Sequence, residues 1–73
     1  MIDDIKAAVH AAAGSKRKSA MFHFQILMHA DELEGVDPVA FSKELAVPVT
    51  YATEFRKMLS LARLMKEQGI RLT

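Results

Sequence analysis

The sequence predicts a small all-α domain of four helices. Apolar residues recur at helical spacing through most of the chain, and Gly and Pro occur only at positions that would separate helices. No stretch shows the alternation typical of a strand. The 73 residues form one domain, residues 1–73, near the lower size limit for folding alone. A hydrophobic fraction of 51% with 26% charged residues is typical of globular proteins and argues against disorder.

The helix boundaries are predicted from stop and start signals. Gly14 and Gly35 are natural helix stops, and Asp37-Pro38 is a strong helix start. Pro48 separates the last two helices because the residue before a proline avoids the α region. The four helices are therefore expected at residues 2–13, 16–34, 38–46 and 49–68.

The second predicted helix is apolar around nearly its whole circumference. Phe22, Ile26 and Leu33 share one face, whereas other large apolar side chains point elsewhere. In so short a chain, either the first and last helices cover this helix completely, or its outer face meets a partner. Surplus apolar residues on the second and fourth helices are the candidate partner interface: Met21, Phe24, Met28, Leu61 and Leu64.

Small and apolar residues within residues 41–60 follow a specific spacing. Phe41 and Leu45 lie on one helical face, Val47 can fill a turn, and the second helix of the segment faces inward through Ala52. The positions that define the spacing are Phe41, Ser42, Leu45, Ala46, Val47, Ala52 and Phe55. This pattern resembles the helix-turn-helix family, with the motif at about residues 38–60, and small bacterial helix-turn-helix-like proteins.

Two positions depart from the family pattern. Ser42 stands where the family usually has Ala, which is a mild change. Ala46 stands where the turn usually has Gly, and a left-handed backbone at a non-Gly residue costs on the order of 1–2 kcal/mol. The alternative is a turn of different shape, set in part by Pro48.

The resemblance implies a transcriptional regulator whose last helix, starting near Val49, reads the major groove of double-stranded DNA. The polar side of that helix carries hydroxyls and cations, and Arg56 could form a bidentate contact with guanine or phosphate. A basic triplet before the second helix could contact the DNA backbone. The alternatives are a solvated polar face and a solvated hinge. The candidate DNA-binding residues are Thr50, Thr53, Arg56, Lys57, Ser60, Lys16, Arg17 and Lys18.

The net charge of +1 is unevenly distributed along the chain. Residues 1–18 carry +2, residues 19–36 carry −3 and residues 37–73 carry +2. This balance argues against a very tight monomeric DNA binder. Operators are usually read by dimers, and the surplus apolar surface is consistent with a homodimer that reads two half-sites. The alternative function is a protein-binding module, antiactivator-like or antitoxin-like, that holds another regulator.

The sequence contains no motif that indicates an enzyme or a cofactor site. It has no cysteine, no Gly-rich phosphate loop and no nucleophile motif, so no small-molecule substrate is expected. His23 and His29 are six residues apart on the predicted helix, and with His10 they are expected to be core or edge residues without a metal. The most apolar run, residues 20–30, is far shorter than the roughly 20 residues of a membrane span. We therefore expect a cytoplasmic protein without a membrane partner.

Overall fold

The computed structural model describes residues 1–72, and within them the chain is all-α, as predicted. Five helices are present in this part of the chain rather than the four expected, because the second predicted helix is divided in two. The helices are α1 (Ile2–Ala13), α2 (Lys18–Met28), α3 (Ala30–Leu33), α4 (Pro38–Glu44) and α5 (Tyr51–Glu67).

The expected helix at residues 16–34 differs from the structure at its start and in its middle. Lys16 has a φ of 60°, which is left-handed and incompatible with a helix, so α2 begins only at Lys18. His29 leaves helical geometry, with a φ of −105° and a ψ of 18°, and separates α2 from the single turn of α3. Gly35 has a φ of 82° and, as expected, it is the left-handed residue that follows the end of the helix, here α3.

The last helix begins later than residue 49. Pro48, Val49 and Thr50 form tight turns in which their carbonyl oxygens accept hydrogen bonds from the N–H groups three residues ahead, at 2.9 to 3.2 Å. These bonds have the spacing of a 3₁₀ turn, and regular α-helix starts at Tyr51. Likewise α4 ends at Glu44, two residues earlier than expected.

A buried aromatic cluster joins three helices. The Phe22 ring of α2 lies 4.9 Å from the Tyr51 ring and 6.4 Å from the Phe41 ring, measured between centroids. Phe41 of α4 in turn lies 5.0 Å from Phe55 of α5. Aliphatic residues from α1, α2, α3, α5 and the α4–α5 turn surround this cluster. The buried core comprises Ile5, Val9, Phe22, Ile26, Leu33, Phe41, Leu45, Val47, Phe55 and Leu59.

Polar contacts hold α4 in place. Ser42 of α4 is fully buried, and its hydroxyl donates a hydrogen bond of 3.0 Å to the Pro38 carbonyl oxygen. His10 Nε2 of α1 lies 2.6 Å from the Leu45 carbonyl oxygen, so the ring N–H donates to the residue that ends α4. At the start of α4 the Asp37 carboxylate accepts from the Ala40 N–H at 2.8 Å, which confirms Asp37 as the N-cap. Thus α4 is capped at its start, and its end is joined to α1 through His10.

Within residues 1–72, no helix has the length and apolarity needed to cross a lipid bilayer.

Candidate nucleic-acid interface

The turn between α4 and α5 is a Schellman motif with Ala46 at its left-handed position. Ala46 has a φ of 56°, the conformation that the helix-turn-helix pattern usually assigns to Gly. The Ala46 N–H donates to Lys43 O at 3.0 Å, and the Val47 N–H donates to Ser42 O at 3.1 Å. Val47 is 8% exposed and fills the turn. The sharp bend therefore forms despite the side chain of Ala46.

The polar face of α5 projects from this bend into solvent. We define it as Thr50, Thr53, Arg56, Lys57 and Ser60, all of which are exposed. The opposite side of α5 is buried in the core. This division follows from a helical repeat of about 100° per residue, which separates the two sets of side chains. The five predicted residues of α5 thus share one accessible surface.

Glu54 lies at the edge of the polar face, and its carboxylate contacts two basic side chains. His23 Nε2 of α2 lies 2.9 Å from Glu54 Oε1, and Lys57 Nζ lies 3.4 Å from Glu54 Oε2. The hydrogen bond from His23, followed by the charge of Lys57, lowers the pKa of Glu54. The carboxylate is therefore ionised and locally compensated at neutral pH.

The basic triplet is adjacent to the start of α5. Lys18 is half-buried, and its Nζ lies 5.8 Å from the centroid of the Tyr51 ring, which fits a cation–π contact. Lys16 and Arg17 are its exposed chain neighbours in the α1–α2 loop. The structure thus brings Lys18 next to Tyr51 at the start of α5, although the two residues are more than thirty positions apart in sequence.

Acidic residues of the α3 region neutralise the far end of α5. Arg63 donates two hydrogen bonds to the Glu34 carboxylate, at 3.0 and 2.8 Å, and this pairing lowers the pKa of Glu34. Lys66 Nζ lies 3.6 Å from Asp31 Oδ1. The cations of the C-terminal half of α5 are therefore paired within the chain, whereas Arg56 is exposed for external partners.

The candidate partner-interface residues are divided among separate surfaces. Met21 and Phe24 line a groove between α1 and α2. Met28 lines a second groove, between the end of α2 and the end of α5. Leu61 and Leu64 are exposed on α5 and line neither groove. The structure does not gather the five side chains into one patch.

Two residues near the interface were not identified from the sequence. Tyr51 is half-buried at the start of α5, and its hydroxyl oxygen lies 3.4 Å from Ser19 Oγ. A tyrosine beside a predicted helix start is a weak signal, and only the fold shows that Ser19 is its neighbour.

No group of three His, Asp or Glu side chains within residues 1–72 is placed to hold a metal ion.

Comparison with known proteins gives one match. The family model described as "HTH-like domain" matches residues 1–68. Neither the curated proteins nor the solved structures include a significant match. The family match covers α1 to α5 and includes the bend at Ala46 and the polar face of α5. This chain is therefore a helix-turn-helix-like protein and belongs to the HTH-like domain family.

Proposed function

We propose that this protein binds double-stranded DNA through the polar face of α5 and acts as a non-enzymatic regulator of transcription. One observation carries the proposal: a sharp bend presents a helix whose exposed side holds hydroxyls and cations. Membership of the HTH-like domain family supports it independently. The major groove of B-DNA is wide enough to admit an α-helix.

The roles of individual residues follow from their positions on α5. Thr50 is the N-cap of α5 and Thr53 lies in its first turn, where short hydroxyl side chains can reach base edges. Arg56 and Lys57 are one turn further along and about 100° apart around the axis, so they extend to opposite sides of Thr53. Their charges suit the phosphates that border the groove, and Arg56 also has the geometry for a guanine.

The charge distribution supports this orientation. A net charge of +1 is low for a DNA-binding domain, but the acidic groups of the α3 region are engaged with Arg63 and Lys66 at the far end of α5. The end of the molecule that carries the basic triplet and Arg56 is therefore the more positive one. Binding should be moderate in strength and strongly weakened by salt.

The test is the variant Arg56→Ala/Lys57→Ala, with Arg63→Ala/Lys66→Ala as the matched control. Both double variants remove two cations from exposed positions of the same helix. We expect the first to abolish binding to duplex DNA at low salt while the helical circular-dichroism spectrum persists. The control should retain most of the affinity. If duplex DNA at low salt causes no NMR shift changes along residues 50–60 of the wild type, DNA binding by this face is refuted.

A second candidate function is binding to another regulatory protein, antiactivator-like or antitoxin-like, or to a second copy of the chain. It is favoured by apolar side chains that remain exposed, namely Phe24 at 44%, Met28 at 43% and Leu64 at 52%. Pull-down from the native host, scored for both DNA and protein, separates the two functions. Sedimentation at high concentration reports on self-association, and a strict monomer would exclude the homodimer.

A further inference from the structure

Three polar side chains meet where the first residues of α2 approach the first residue of α5. Lys18 Nζ lies 5.8 Å from the centroid of the Tyr51 ring, and Ser19 Oγ lies 3.4 Å from the Tyr51 hydroxyl oxygen. We propose that Lys18, Ser19 and Tyr51 form a binding site for one backbone phosphate of duplex DNA. The inference rests on the proposed function and adds the contact that positions α5 against the groove.

The Tyr51 ring is held by the core, so its hydroxyl has a fixed position. The ring packs edge-on against Phe22, with the centroids 4.9 Å apart, and Phe22 is fully buried. The hydroxyl nevertheless lies at the surface, beside exposed Ser19. A donor that is already immobilised loses little conformational entropy on binding a ligand. Tyr51 therefore suits a contact that sets the orientation of α5.

The chemistry of the cluster matches a phosphate group. Lys18 supplies an ammonium with three donors, and the two hydroxyls supply one donor each. The 3.4 Å separation of Ser19 Oγ and the Tyr51 oxygen is long for an O–H···O bond, so both hydroxyls keep most of their capacity to donate elsewhere. Within residues 1–72, no carboxylate pairs with Lys18. Glu54, one turn along α5, is engaged by His23 and Lys57.

The cluster also lies on the correct side of the proposed interface. Relative to Thr53 at the centre of the exposed half of α5, Arg56 lies about 60° to one side and Thr50 about 60° to the other, since successive residues turn by about 100°. Tyr51 lies about 100° beyond Thr50, outside the polar face and on the side of α5 that contacts α2. A helix in the major groove has a phosphate strand on each side. Arg56 therefore faces one strand, and the cluster faces the other from the direction of α2.

The test compares Lys18→Met and Tyr51→Phe with wild type, using a fluorescein-labelled mixed-sequence duplex over a series of salt concentrations. Lys18→Met should reduce the slope of log affinity against log salt by about 0.9, because one phosphate contact is lost. Tyr51→Phe keeps the ring against Phe22 and should lower affinity roughly fivefold at every salt concentration, with the slope unchanged. Lys6→Met, an exposed lysine on α1, is the matched control and should leave both quantities unchanged.

The possible outcomes separate this inference from the proposed function. If wild type binds the duplex and loses binding in Arg56→Ala/Lys57→Ala, but Lys18→Met and Tyr51→Phe behave as wild type, the phosphate site alone is overturned. If wild type does not bind, both proposals fail. Equal melting temperatures for Tyr51→Phe and wild type show that its loss of affinity is not unfolding. If inorganic phosphate alone shifts the Tyr51 NMR signals and duplex DNA does not, the assignment of the site to DNA is overturned.

Discussion

Ala46 has a backbone conformation that its own side chain disfavours. At a φ of 56° the β-carbon crowds the following carbonyl group, a contact that Gly avoids. The Schellman hydrogen bonds and the burial of Val47 hold the residue there. These hydrogen bonds and the packing of Val47 thus maintain the bend that presents the polar face of α5, although the left-handed conformation of Ala46 is itself unfavourable.

We expect Ala46→Gly to stabilise the protein by about 0.5–1 kcal/mol, because removal of the left-handed strain outweighs the greater entropy of Gly in the unfolded chain. Ala7→Gly is the matched control: Ala7 is exposed in α1, and Gly there should destabilise by about 1 kcal/mol. Urea unfolding of both variants measures the two changes. A destabilised Ala46→Gly variant would contradict the strain argument.

Individual residues also show which local features can be predicted from the sequence and which cannot. The sequence correctly identified Asp37 as a helix cap, because that signal is local. It also correctly placed the end of α1 at Ala13 with Gly14 as the stop, but Gly14 has an ordinary helical φ of −65°, and the left-handed residue is Lys16. Propensity favours Gly for a left-handed position, whereas the path of the chain from α1 to α2 places that position two residues later.

Among the helices, the division between α2 and α3 had no signal in the sequence. The apolar spacing is continuous through His29, and neither Gly nor Pro lies nearby. Ion pairs from Asp31 and Glu34 to α5 accompany this break, but they join residues far apart in sequence and so leave no local signal. In contrast, the start of α4 was predictable because its cap residues, Asp37 and Pro38, define it locally.

Neighbouring positions of α2 should differ sharply in their contribution to stability. Phe22 is fully buried and contacts aromatic rings of α4 and α5, so we expect Phe22→Ala to cost about 3–5 kcal/mol. Phe24, two residues along, is 44% exposed, and Phe24→Ala should cost well under half as much. Thermal unfolding followed by circular dichroism gives both values. Equal losses would show that the aromatic cluster does not connect the helices as described.

At the scale of the whole molecule, paired and unpaired cations lie at different ends of α5, although the net charge is only +1. Arg63 is paired with Glu34 at the end near α3, while Lys18 and Arg56 lie nearer to the bend. The sequence alone gave the net charge of +1 and the acidic segment at residues 19–36, but it could not show which cations that segment neutralises. Physiological salt screens charges that are more than about 8 Å apart, so it weakens the repulsion that the proposed DNA partner would meet from the acidic end.

The same carboxylates that pair across helices should make stability depend on acid pH. The hydrogen bond from Arg63 lowers the pKa of Glu34, and the hydrogen bond from His23 lowers that of Glu54, both from an ordinary value of 4.5. A carboxyl group with a depressed pKa in the folded state stabilises that state above its unfolded pKa and loses this contribution as pH falls through the folded pKa. Stability should therefore begin to fall as the pH drops towards 4.5 and continue to fall below it. Both side chains are partly exposed, so the effect is modest.

The variant Glu34→Gln/Glu54→Gln tests this dependence. At neutral pH it should be less stable than wild type, because it has lost both ionised partners, and its stability should change less on acidification. The two curves of unfolding free energy against pH should then converge at the acid end. Glu67→Gln, an exposed position at the end of α5, is the control and should give a curve parallel to wild type. Urea unfolding at a series of pH values provides the curves, and a double variant with the full wild-type slope would show that other carboxyl groups cause the acid sensitivity.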